Sequence, residues 1–129
     1  MYVNLPRIAF SGAARRILWA AVSDEYPAQV YFEGLPEKDR ARAEALFRKM
    51  AAAGRITNKL QFNNEGEDIW CFKPGGHRFA CFFDRLDCLV THGFKKQHQK
   101  MPRNELRRAL SVRKIYLEAK AKRDQTRKG

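Results

Sequence analysis

The run "IWCFKPGGHRFACFFDRLDCLVTHGFKKQHQKMP" (residues 69–102) decides the fold. It holds three apolar, aromatic-rich segments: "IWCFK" (69–73), "RFACFF" (78–83) and "CLVTHGF" (88–94). "PGGH" separates the first pair and "DRLD" the second. Connections of that length join adjacent antiparallel strands, so the spacing predicts a three-strand meander. The strands are apolar on both faces, which predicts helical cover on one side of the sheet and partial cover on the other. The last strand leads into "KKQHQK" (95–100), and no acid stands between Val90 and Pro102. Unpaired positive charge thus collects beside imidazoles where a strand ends and a proline opens a helix.

Working outward, the helix after Pro102 is predicted to reach about Lys122, with Leu106, Ala109, Leu110, Arg113 and Leu117 on one face and Ile115 and Tyr116 widening it. On the N-terminal side, Pro36 to about Ala53 reads as the clearest helix. Glu37 and Asp39 complement the positive end of its dipole, Ala43, Leu46, Phe47, Met50 and Ala53 form its apolar stripe, and Gly54 stops it. "AQVYFEGL" predicts a short helix ending at Gly34, and "ILWAAV" (17–22) a first strand. Residues 55–68 read as a polar, turn-rich connection. The expected architecture is α+β: an antiparallel sheet of one N-terminal strand plus the meander, packed with two N-terminal helices and a C-terminal helix. Residues 1–16 are expected to be an irregular arm, 17–122 a single domain and 123–129 a basic tail.

A chain of 129 residues with 44% hydrophobic content supports one such core. Its net charge is +12, and residues 95–129 hold 13 basic against 3 acidic side chains, so +10 of the +12 sits in the last quarter. Segregated basic charge points to a polyanion, nucleic acid first among them, with a solvated helix as the plain alternative. Cys71, Cys81 and Cys88 fall in strands without CxxC spacing and read as small apolar side chains, not as disulfides or as a zinc site with His77. No metal or other cofactor is expected. The N-terminus lacks a signal peptide's apolar run and no stretch approaches a membrane span, which predicts a cytoplasmic protein with no membrane partner.

The segment "LVTHGFKKQHQKMPRNELRRAL" resembles the pattern "LLHGFxKKxxxxP" plus acid and alanine of the HigB-like, phage-derived branch of the RelE/ParE toxin superfamily. "LPEKDRARAEALFRKMAAAG" is similar to that branch's "sLPekerakvlalLdrLaelG", and "HRFACFFD" to its strand with arginine second and an acid at the end. The resemblance covers about residues 17–120 and implies a small RelE-like fold. It departs at β-segment "IWCFK", where relatives read roughly "LyELR": Cys71 replaces the glutamate and Lys73 the arginine.

The resemblance implies the toxin of a type II toxin–antitoxin module, a metal-independent endoribonuclease that cleaves mRNA, ribosome-associated, and inhibits translation. Its implied partners are mRNA, the ribosome and a helix-turn-helix antitoxin. Such chemistry needs an acceptor for the 2′-hydroxyl proton, cations for the phosphorane oxygens and a proton for the departing 5′-oxygen. Arg78 is the leading candidate, as a two-oxygen clamp. Lys95 and Lys96 follow the last strand, and mutual repulsion makes one of them a candidate base. Lys73 and Arg78 flank the "PGGH" turn. His92 and His98 are the candidate proton-transfer imidazoles, although His92, alternating with Val90 and Cys88, reads equally well as a buried strand histidine. Lys100, Arg103, Arg107 and His77 are candidate RNA contacts. Two other readings stand beside this one: a non-catalytic ParE-like toxin acting by protein binding, and a catalytically decayed phage homologue.

Overall fold

The computed structural model describes residues 3–128, with side chains through Gln125. In chain order it contains β1 (Arg7–Ser11), β2 (Arg16–Trp19), α1 (Pro27–Glu33), α2 (Glu37–Ala53), β3 (Phe62–Gly66), β4 (Ile69–Phe72), β5 (His77–Asp84), β6 (Asp87–Lys95) and α3 (Arg103–Lys128). The expected α+β class and the three helices are present, and β4, β5 and β6 form the predicted meander.

The sheet is larger than predicted and mixed. Its six strands are ordered β1-β2-β6-β5-β4-β3, and β2 runs parallel to β6 while every other pair is antiparallel. Ile17, Leu18 and Trp19 are all buried because β2 is an interior strand, flanked on both sides and covered on both faces.

Two edge strands correct the sequence reading. The stretch expected as an irregular arm supplies β1, which pairs with β2 through a register shift between Ile8 and Phe10. Ile8 remains 55% exposed, so only one side of β1 meets the core and no clear period marks it. The connection expected between α2 and the meander supplies β3, "FNNEG". Asparagine and glycine are turn formers, but Glu67 and Asp68, both at positive φ (53° and 61°), make a tight reversal that lays β3 against β4. At the other end, α3 runs on across the segment expected as a basic tail. Residues 1, 2 and 129 of the expected arm and tail lie outside the described residues.

Two cores sandwich the sheet. On one face, α1 and α2 press Phe32, Phe47 and Met50 onto Trp19, Phe72, Phe79 and Val90. Phe47 is the hub, with ring centroids 4.9 Å from Phe72 and 5.2 Å from Phe79, both edge-on. On the other face, α3 packs Ala109 and Tyr116 against Leu18, Ile69, Phe82 and Leu89. The buried stripe of α3 is Ala109, Val112, Tyr116 and Ala119, and Leu117, expected on the packed face, is 49% exposed. The α2 stripe holds Ala51 in place of the expected Ala53. Gly54 caps α2 at φ 83°, a left-handed conformation that glycine adopts without cost.

A bulge in β6 matters most for the site. Ala80 pairs with His92 but Cys81 pairs with Val90, so Thr91 is an extra residue on β6. The simple alternation of Cys88, Val90 and His92 is broken there. Val90 faces α1 and α2, whereas His92 stacks on Phe94 and bonds to α3.

Candidate active site

Where β4 ends, β5 begins and β6 runs out, a small cavity opens on the α3 side of the sheet. Glu65, Cys71, Arg78 and Phe94 form its floor, and the segment from Lys96 to Pro102 forms its wall. Arg78 stands opposite Phe94 in the β5–β6 ladder. Its Nη1 donates to the carbonyls of Gly75 and His77, both at 2.8 Å, so the "PGGH" turn holds the guanidinium in place. The backbone N–H of Lys96 donates to Gly76 O at 2.9 Å and ties the outgoing strand to the same turn.

Of the residues expected to act together, Arg78, Lys96, His98 and Lys100 line this cavity. Lys73 borders it through an ion pair, its Nζ 3.7 Å from Glu65 Oε1. Both side chains are largely withdrawn from solvent, at 14% and 8% exposure, so the charges depend on each other. The N–H of Met101 donates to Glu65 Oε2 at 3.3 Å. Glu65 is the residue that sequence reasoning missed. It lies among turn formers, and only the pairing of β3 with β4, which sets Asn63 opposite Cys71 and Glu65 on the same face, brings it to the cavity; "NNEG" by itself carries no signal for that pairing.

The Cys71 thiol is pushed up to about 12, chiefly by burial and then by Glu65, against the pull of Arg78 and Lys73. It is therefore a protonated part of the cavity floor. The free volume inside is about 10 Å³. That is room for at most one water, so a phosphate enters only if the Gln97–Met101 segment moves.

The other candidates lie elsewhere. His77 pairs with Lys95 in the ladder, one step of the period-two alternation away from Arg78 and Phe94. Both therefore belong to the α1–α2 side. There His77 Nδ1 meets Tyr31 Oη at 2.7 Å and Nε2 lies 3.4 Å from Asp39 Oδ2. The Tyr31 phenol is held above its ordinary range by burial and by Asp39. The sheet thus separates Lys95 from Lys96, and the expected action of the pair on one linkage does not fit the geometry. Gly93 makes room for this arrangement: a Cβ there would fall 2.4 Å from Tyr31 Cδ1.

His92 is fully buried and outside the cavity lining. Burial, and then Arg108, lowers its imidazole to about 3, so the ring is neutral. Its Nε2 lies 3.1 Å from Glu105 Oε1 and its Nδ1 2.9 Å from Thr91 Oγ1. The carboxylate accepts, which puts the ring proton on Nε2 and leaves Nδ1 to accept from threonine. This histidine joins β6 to the first turn of α3 and so positions the cavity wall. Arg103 and Arg107, one turn apart and exposed, lie on the solvent side of α3, away from the buried Ala109–Val112 stripe.

The family model described as Phage derived protein Gp49-like (DUF891) matches residues 30–114, which include every residue of the cavity. The chain belongs to the Gp49-like family. That family is toxin-like, of the RelE/HigB type. The match runs from the middle of α1 to the middle of α3 and leaves β1 and β2 outside it. No curated protein matches the Gp49-like chain. Among its described residues, no helix is long and apolar enough to cross a membrane.

Proposed function

We propose that this Gp49-like protein is the toxin of a type II toxin–antitoxin module and an endoribonuclease that cuts mRNA in the cytoplasm, at the ribosome. The observation that carries the reading is the meeting of Arg78, Lys96, His98 and Lys100 with a buried carboxylate at one rim cavity. In this reading Glu65 takes the 2′-hydroxyl proton. The 2′-oxygen bonds to phosphorus, the bond to the 5′-oxygen breaks, and His98 protonates the leaving oxygen. The products are a 2′,3′-cyclic phosphate and a 5′-hydroxyl, and the balance needs neither water nor metal. Arg78 and Lys96 neutralise the phosphorane, a task for fixed cations in a site that excludes water. Lys73, 3.7 Å from Oε1, holds Glu65 in place, and Arg103, Arg107 and Lys100 attract the RNA backbone.

A second reading rests on one specific observation. The cavity is closed over about 10 Å³, which suits a toxin that acts by binding a protein, as ParE-like relatives do, or one whose chemistry has decayed. Mapping transcript ends in a translating extract separates the three. Cuts that vanish in Arg78→Ala and Lys96→Ala support the nuclease. Intact transcripts with arrested growth support a protein target, and neither effect supports decay. A helix-turn-helix antitoxin is the proposed neutralising partner, and co-purification of the two proteins tests it.

A further inference from the structure

The "PGGH" turn between β4 and β5 carries two guanidinium groups, one from each side of the sheet. On the α3 side, Arg78 Nη1 donates to Gly75 O at 2.8 Å. From α2, which covers the opposite face, Arg42 reaches the same residue: a Cβ built on Gly75 would fall 3.0 Å from Arg42 Nη1. Both groups thus meet one residue, which puts them less than about 10 Å apart. Arg42 is exposed, and the two acids nearest it in the chain are engaged elsewhere, Asp39 with His77 and Glu44 with Arg48. Among the described residues no ion pair holds the Arg42 guanidinium.

The turn between these cations is two bare glycines. The His77 N–H donates to Pro74 O at 3.2 Å and closes it, and Gly75, the first central residue, has φ 60°, where glycine is the natural occupant. Gly76 is different. Its φ is not positive, it is exposed, and a Cβ there would meet nothing within 4 Å. Neither conformation nor packing requires glycine at this position. What the missing side chain leaves is a saddle of backbone beside two cations, open to the close approach of another chain.

We propose that this saddle is a subsite for single-stranded RNA, where the strand crosses the sheet rim with adjacent phosphates on Arg42 and Arg78. The subsite rests on the reading of the protein as an RNA-cutting toxin and adds the path by which the strand enters the rim cavity. Arg78 lines that cavity, so the phosphate on it is the scissile one and Arg42 holds its neighbour. Arg78 uses only Nη1 to bind the turn, which leaves Nη2 for a phosphate oxygen. A phosphodiester chain carries one charge per nucleotide and can set two in succession on the two guanidinium groups. A duplex is too stiff to turn from the saddle into the cavity, and a peptide finds no apolar surface on two glycines.

The test is a titration of a fluorescein-labelled single-stranded dodecamer of 2′-O-methyl RNA with the full chain, read by fluorescence anisotropy. The probe has no free 2′-hydroxyl within the strand, so binding is measured without cleavage. Gly76→Leu, which fills open space over the saddle, and Arg42→Gln are each expected to raise Kd about tenfold with the urea midpoint kept. Arg42→Gln is also expected to lower the slope of log Kd against log salt by about 0.7, the share of one phosphate contact on a single strand. Arg55→Gln removes an equal charge roughly 20 Å further along the α2 direction and is expected to stay within about twofold. Arg42→Gln, at an exposed side chain, carries the test if Gly76→Leu loses its fold. The proposal is overturned if either folded saddle variant binds within about twofold of the wild type or if Arg55→Gln loses as much. It is equally overturned if an RNA duplex or polyglutamate binds as tightly as the single strand, or if the wild type does not bind the probe. Transcript mapping reads the nuclease separately: intact transcripts together with the expected binding losses would end the nuclease reading and leave the subsite standing.

Discussion

Glu65 Oε1 lies 3.7 Å from Lys73 Nζ, and the same carboxylate accepts from the Met101 N–H. One side chain from an edge strand thereby binds the end of β4 and the segment leading into α3 to a single point. If Glu65 is the proton acceptor, Glu65→Gln keeps the Met101 hydrogen bond and the shape but removes the base. Cleavage is expected to fall by roughly 10²–10⁴. Initial rates on a defined transcript measure this, and an unchanged circular dichroism spectrum shows that the fold is kept. A rate within threefold of the wild type would sink the assignment.

Lys95 and Lys96 are adjacent in sequence and opposed in space. Lys96→Ala and Arg78→Ala are each expected to lower cleavage by about 10²-fold or more, as loss of a preorganised cation does. Lys95→Ala should leave the rate almost unchanged. Equal losses from both lysine variants would mean that the scissile linkage lies across the rim and outside the cavity.

His92 makes stability pH-dependent. Its folded value is near 3 and its ordinary value 6.5, so between these limits the unfolded chain binds a proton that the folded chain does not. Stability is therefore full above about pH 6.5 and declines as the pH falls, by at most about 1.4 kcal/mol per pH unit. Urea titrations between pH 7 and 5, above most carboxylate titration, measure the slope. His92→Asn should flatten it; an identical slope in the variant would show that other groups carry the effect.

Gly93 lies under Tyr31, and Gly93→Ala would place a methyl 2.4 Å from the ring. The ring must move, which also loosens its contact with His77. A loss of about 1–3 kcal/mol is expected, as for overpacking elsewhere, read from the urea midpoint at constant slope. A midpoint at or above that of the wild type would show that α1 yields freely.

Residues whose neighbours are close in the chain were legible without coordinates. Pro36, Gly54 and the spacing of Leu46, Phe47 and Met50 mark α2, and the apolar runs split by "PGGH" and "DRLD" mark the meander. These signals are local, because a helix or hairpin is set by caps, turns and periodicity over a few residues. β1 and β3 were illegible because an edge strand buries only one face, and "FNNEG" reads as a turn until β4 is beside it.

The sequence alone determined the α+β class, the three helices, the central meander and the concentration of positive charge in the last quarter. Tertiary structure decided which of those charges share a site. Side-chain direction in a strand alternates with a period of two, so one extra residue at Thr91 moves His92 to the other face. The same alternation divides Lys95 from Lys96, and the pairing of β3 with β4 brings Glu65 to Lys73. Register is a property of paired strands, and no single strand's sequence carries it.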